Sequence, residues 1–259
     1  MKNNGISMRL IIMNFLQYAI WGAYLTSMGS YLAGIGMSAK IGIFYAMQGI
    51  VSIFMPAIVG IIADKYIPAQ KVLSICHGLA GLFMIAAGWY GMSAGENVAF
   101  GHLFGLYSLS VAFYMPTIAL SNSVAYSGLE RYGLDTVKDF PPIRVFGTVG
   151  FICSMLFVNF MTIDGVQFQH SYNQFFTSGI IGLALCAFAL TLPPCPVSKT
   201  NEGTSFVDVF GLRAFSLFKK KDMAIFFIFS MLLGVSLQIT NGFANPFITS
   251  FASIPEYAD

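Results

Sequence analysis

Asp139-Phe-Pro-Pro-Ile-Arg-Val-Phe-Gly-Thr-Val-Gly-Phe151 opens an apolar segment that continues to about residue 161. Pro141 and Pro142 suit a first helical turn, where a missing N–H costs nothing. Arg144, Thr148 and Phe151 then recur at i, i+4 and i+7, so a helix carries all three on one face. A guanidinium, a hydroxyl and an aromatic ring are thus aligned inside an otherwise greasy segment. Every other Lys and Arg falls in a connection or at a segment end. A charge buried in lipid costs at least a few kcal/mol, which directs Arg144 to a polar interior. The other placement is a side chain that snorkels back to the headgroups. The residues leave both open.

Working outward, the 259 residues are 56% hydrophobic and only 9% charged. A soluble domain carries roughly 25% charged residues, so the composition is that of an integral membrane protein. A net charge of +2 gives no footprint for nucleic acid. Cys76, Cys153, Cys186 and Cys195 form no CxxC pair and read as packing residues. The first apolar run is too long for the apolar core of a cleavable signal peptide.

A helix needs about 20 apolar residues to cross a bilayer. Seven runs qualify, at about 9–34, 41–62, 72–92, 98–126, 140–162, 173–192 and 223–248. The fourth is overlong and contains Pro116, so it either kinks or extends beyond the hydrocarbon. Strand alternation is absent, which argues against a β-barrel. Gly101-x-x-x-Gly105 reads as a close-approach site between helices. The expected fold is therefore all-α, a polytopic transmembrane bundle.

Eleven of the thirteen basic residues fall at the N-terminus or in the second, fourth and sixth connections, and Lys40 alone on the opposite side. The positive-inside rule places the N-terminus in the cytoplasm. The chain divides into a six-helix bundle (1–192), a cytoplasmic linker (193–222) and a seventh helix with its tail (223–259). Pro193-Pro-Cys-Pro196 ends the sixth helix. Residues 206–218, followed by Lys219-Lys-Lys221, read as a short helix on the inner membrane surface or as an unstructured linker.

Polar side chains recur at membrane depth. Asn14, Gln17 and Trp21 share one face of the first helix, and Gln238, Asn241 and Asn245 one face of the seventh. Tyr114, Thr117 and Asn122 lie in the fourth, and His77 near the start of the third. Amides in hydrocarbon need partners, so these faces point inward. Any single one can simply glue helices together, whereas three polar stripes suggest a shared cavity. No Asp or Glu lies inside a span. Amides, hydroxyls, one guanidinium and rings suit a neutral, hydroxyl-rich ligand with a flat face. No nucleophile–base pair, phosphate loop or metal cluster is present, so neither enzyme chemistry nor a cofactor is expected. A retinal-type receptor is disfavoured, because 223–248 contains no Lys.

Gly60-Ile-Ile-Ala-Asp64-Lys65 resembles the signature loop of the major facilitator superfamily, although Ile67 and Pro68 replace later positions of that pattern. Physically, its carboxylate would sit against a helix N-terminus. Met55-Pro-Ala-Ile-Val-Gly60, Tyr114-Met-Pro-Thr117, the 139–151 stretch, Phe226-Phe-Ile-Phe-Ser-Met-Leu-Leu-Gly234 and Leu237-Gln-Ile-Thr-Asn241 resemble the bacterial nucleoside:proton symporters of that superfamily. The resemblance covers about 10–250.

It implies a twelve-helix carrier in a bacterial inner membrane that takes up a nucleoside such as uridine with protons, by alternating access. On that basis Arg144, Thr148, Phe151, Gln238 and Asn241 would line the substrate site. Gly60, Asp64 and Lys65 would form the conformational loop. A chain ending at residue 259 would be a truncated one, with the family's acidic residues for proton coupling in the other half. A sugar carrier is the runner-up, since amides and rings also read hexoses.

Overall fold

The computed structural model describes residues 2–95, 97–197 and 212–251. They form eight α-helices: α1 (Lys2–Gly22), α2 (Met28–Gly34), α3 (Ile41–Lys65), α4 (Ala69–Ala94), α5 (Phe100–Arg131), α6 (Thr136–Phe160), α7 (Asn173–Ala189) and α8 (Lys221–Phe251). A two-stranded hairpin, β1 (Thr162–Ile163) and β2 (Val166–Gln167), joins α6 to α7. Its turn is Asp164-Gly165, with φ of 51° and 80°, the positive values that a two-residue hairpin loop demands.

Among the described residues five helical stretches are long and apolar enough to cross a membrane: Ser38–Lys65, which joins a short 3-10 turn to α3, then α4, α5, α6 and α8. Seven spans were expected. The first, α1, has 21 residues but a polar start that includes Arg9; the chain leaves it after Gly22, turns through 23–27 and resumes as α2. The sixth helix, α7, has 17 residues, because it ends at Ala189 rather than near 192.

The break between α1 and α2 stays bonded because side chains take up its carbonyls. Tyr114 donates to Gln17 O (2.7 Å), Ser178 to Ile20 O (2.9 Å) and Tyr45 to Leu25 O. Irregular backbone at membrane depth is tolerated where it is buried in protein and bonded in this way.

α5 passes through Pro116 as one helix of 32 residues, about 48 Å long at the α-helical rise, so it overhangs a hydrocarbon core of about 30 Å. α6 begins earlier than expected, which corrects the placing of its prolines. Asp135 caps it by accepting from Val137 N (2.9 Å) and Lys138 N (3.3 Å), and Asp139 reaches back to Asp135 N (2.9 Å). Pro141 and Pro142 therefore lie beyond the first turn, inside the helix.

Helices meet closely where glycines allow it. A Cβ on Gly150 would collide with the Phe15 carbonyl, and one on Gly22 with the Phe151 carbonyl, so α1 and α6 touch backbone to backbone. α4 and α7 do the same: a Cβ on Gly81 would lie 2.8 Å from Gly179 O. Gly101 and Gly105, the expected approach site, have nothing within 4 Å of that position, so that expectation fails.

Arg9 and Arg131, two of the basic residues expected on one side, meet the 191–195 segment at one end of the bundle. Arg9 Nη1 donates to Thr191 O (3.0 Å), Arg131 Nη1 to Pro194 O (2.7 Å), and Cys195 N to Gln70 Oε1 (2.9 Å). The 193–195 stretch is thereby strapped across the ends of α1, α4 and α5, and Cys195 is buried. The surface helix expected over 206–218 lies partly outside the described residues. Leu212–Lys219 is a 3-10 helix.

Candidate functional site

The polar stripe of α1 divides into two parts. Its lower part is glue. Gln17 Nε2 donates to Thr117 Oγ1 (2.8 Å), and Gln17 Oε1 bonds His77 Nε2 (2.8 Å). All three residues have 0% exposure. Asn14 is also fully buried and donates to Leu10 O of its own helix (3.0 Å). Gln17, Thr117 and His77 thus join α1, α5 and α4. The shared cavity expected from three polar stripes does not take in the Gln17 amide, which is buried and bonded at both ends.

The upper part faces outward. Trp21 is half-buried, and its Nε1 donates to Gln48 Oε1 on α3 (3.2 Å); Gln48 Nε2 donates to the Tyr107 hydroxyl (2.8 Å). The Trp21 ring meets Phe151 edge-on at 6.5 Å between centroids and Tyr114 at 6.3 Å. Phe151 is half-buried and Thr148 is exposed.

Arg144 is half-buried, with its guanidinium carbon 3.8 Å from the centroid of the Tyr18 ring. Gly147 makes room for this stack, since a Cβ there would come 2.6 Å from the Tyr18 ring and 2.8 Å from Arg144 Nη1. Arg144 is thus held against α1. The ring face compensates part of the desolvated charge, and a side-chain hydrogen bond to Tyr18 takes up part of the guanidinium's donor set.

α8 packs on α2 and α3. Gly242 is its buried contact: a Cβ on Gly29 would lie 2.6 Å from Gly242 O, and one on Gly242 would lie 3.1 Å from the Tyr45 ring. One turn on, Asn245 Nδ2 donates to Gln169 Oε1 (3.3 Å). Gln238 and Asn241 are both half-buried, and Gln238 Nε2 is a buried donor with no partner. The structure thus groups Arg144, Thr148 and Phe151 beside Tyr18 and Trp21, and places Gln238 and Asn241 on a separate helix against α2 and α3.

Gly60 and Lys65 lie in the last turns of α3. Asp64 is exposed and makes no hydrogen bond or ion pair among the described residues. α4 begins behind Pro68 with no side-chain cap. Among the described residues no group of three metal-ligating side chains converges.

Tyr18 and Gln48 were missed by the sequence reading. Gln48 carried a signal, an amide in the middle of the second apolar run. Tyr18 carried none, because an aromatic in a span looks like any core residue.

The family described as Nucleoside H+ symporter matches residues 4–258. Xanthosine permease of Escherichia coli (strain K12) is 45% identical over 98% of this chain, and nucleoside permease NupG of the same organism 42% identical over 98%. The chain spans 58% of the length of each. The crystal structure of a mutant of nucleoside transporter NupG superposes with a TM-score of 0.84 at 41% identity, covering 98% of this chain and 61% of that one. The bundle is therefore of major facilitator type.

Proposed function

Since the chain belongs to the nucleoside H+ symporter family, we propose that the protein carries nucleosides across the membrane together with protons, by alternating access. This chain builds one wall of the substrate site. The observation that carries the reading is the α6 face: Arg144, Thr148 and Phe151 are presented, not packed away, beside the half-buried Trp21.

The chemistry of that wall fits a nucleoside. Phe151 and Trp21 offer ring surface to the base, and base–aromatic stacking contributes about 1–3 kcal/mol per base. The Arg144 edge donates to a base carbonyl or a ribose oxygen, and Thr148 adds a hydroxyl. Gln238 and Asn241 on α8 complete the polar contacts from the other side of the path, where Gln238 Nε2 holds a free donor. Gly60, Asp64 and Lys65 act as the conformational loop, with Asp64 exposed for a partner in the other state. The basic residues at the end that carries the 193–195 strap face the cytoplasm, and the membrane is the bacterial inner membrane. The bundle of 1–192, the linker 193–222 and the seventh helix from 223 are its working divisions.

Uptake in cells lacking their own nucleoside carriers tests the reading. With the complete protein expressed, labelled uridine should accumulate, excess nucleoside should compete, and excess hexose should not. Competition by hexose alone would move the protein to the sugar carriers.

A further inference from the structure

Behind Trp21, where α1, α4, α5 and α7 meet, lies a cavity of about 10 Å³. Its polar side chains are Tyr24, His77, Ser110, Tyr114 and Ser178, all buried, with Tyr24 and His77 at 0% exposure. Ile20, Met84 and backbone at Gly81 and Gly182 form much of the rest. Two atoms of that wall have no hydrogen-bond partner, the Tyr24 hydroxyl and His77 Nδ1. A buried polar atom left unpaired costs roughly 1–3 kcal/mol, and two on one cavity point to an occupant.

The bonding pattern identifies the occupant. Gln17 uses its amide N–H on Thr117, so its Oε1 accepts from His77. His77 Nε2 therefore carries the hydrogen, and Nδ1 is a bare acceptor. Ser110 donates to Ala80 O (2.8 Å) and Ser178 to Ile20 O (2.9 Å), which leaves lone pairs on both serine oxygens. The Tyr114 hydroxyl, which donates to Gln17 O, likewise keeps lone pairs, so one donor, the Tyr24 hydroxyl, and four acceptors belong to the lining residues. A single water needs about 10–15 Å³ and two to four polar partners. Anything larger would have to push the helices apart.

We propose that this cavity binds one water molecule. It accepts from the Tyr24 hydroxyl and donates to His77 Nδ1 and to one serine oxygen. Tyr24 lies in the turn between α1 and α2, so the water ties that irregular backbone to α4. It also holds His77 in the tautomer that fixes the Gln17 amide. His77 is thereby a positioning residue for the α1 stripe and does not touch substrate.

Two measurements on the complete protein decide the matter. A structure at better than about 2 Å resolution should show one density peak within hydrogen-bond distance of both the Tyr24 hydroxyl and His77 Nδ1. A cavity without that peak would overturn the proposal. The second measurement turns on a sign. With a bridging water, Tyr24→Phe removes a satisfied donor, and the thermal midpoint should fall by a few degrees. With a dry cavity the same change removes an unpaired hydroxyl, and the midpoint should stay or rise, which also overturns the proposal. If Tyr24→Phe yields no folded protein, the density alone decides.

Discussion

The guanidinium carbon of Arg144 lies over the ring of Tyr18, 3.8 Å from its centroid, and Gly147 one turn away is what lets the two meet. The charge is thereby held against α1. A side-chain hydrogen bond to Tyr18 uses part of the guanidinium's donor set, and a fork of five N–H groups has further donors to offer a ligand.

Replacing Arg144 by Ala should therefore weaken nucleoside binding by about 10–100-fold, the equivalent of one charge-assisted hydrogen bond. Arg144→Lys should not restore it, because an ammonium lacks the planar face that stacks and the fork that bonds. Isothermal titration of the purified complete protein with uridine reads both variants.

Gln238→Ala should reduce nucleoside affinity with no loss of folded protein. The residue is half-buried, and its Nε2 makes no hydrogen bond in the chain, so its removal strips no partner of a bond. Unchanged affinity in a folded variant removes Gln238 from the site.

Gln17→Leu should behave in the opposite way. It strips the partner from buried Thr117 and His77 together, a cost of roughly 1–3 kcal/mol. Thermal unfolding should shift down by several degrees, while the folded fraction binds nucleoside within about twofold of the original.

Much of this was legible beforehand, and the exceptions share a cause. Period and apolarity find α3 to α6 and α8, because each is one uninterrupted run. They do not show that the first run breaks after Gly22, since the Ile20 and Leu25 carbonyls there are bonded by Ser178 and Tyr45 from distant parts of the chain. The same limit applies to the stripes. Asn14, Gln17 and Trp21 share a face on paper, but the first two are buried and only Trp21 reaches the open wall. Spacing tells which residues lie together on a helix. It does not tell which neighbour covers them, and for that reason Gly101 and Gly105 looked like a contact and are none.

That difference among glycines is itself testable. Gly150→Ala should destabilise strongly, because its methyl would strike the Phe15 carbonyl, and overpacking costs about 1–3 kcal/mol or more where backbone must move. Gly101→Ala meets nothing within 4 Å and should be neutral or slightly stabilising, as Ala is the better helix former. Thermal midpoints of the two variants, measured side by side, check the pair.

The strap at 193–195 yields a prediction about reactivity. Burial pushes the Cys195 thiol above its ordinary value, so little thiolate exists near neutral pH. Cys195 should react slowly with a water-soluble maleimide. Gln70→Ala, which removes the acceptor of Cys195 N, should release the strap and raise the rate about tenfold or more. Peptide mass spectrometry of labelled protein follows Cys195 separately from the other three cysteines.

In the proposed function the α6 face and the α8 stripe form opposite sides of one nucleoside site. A structure of the complete protein with uridine bound should place the base against Phe151 and Trp21, a ligand oxygen within hydrogen-bond distance of Arg144, and a polar ligand atom on Gln238 or Asn241. A nucleoside bound elsewhere, with Arg144 still confined to Tyr18 and neither amide touched, would contradict it.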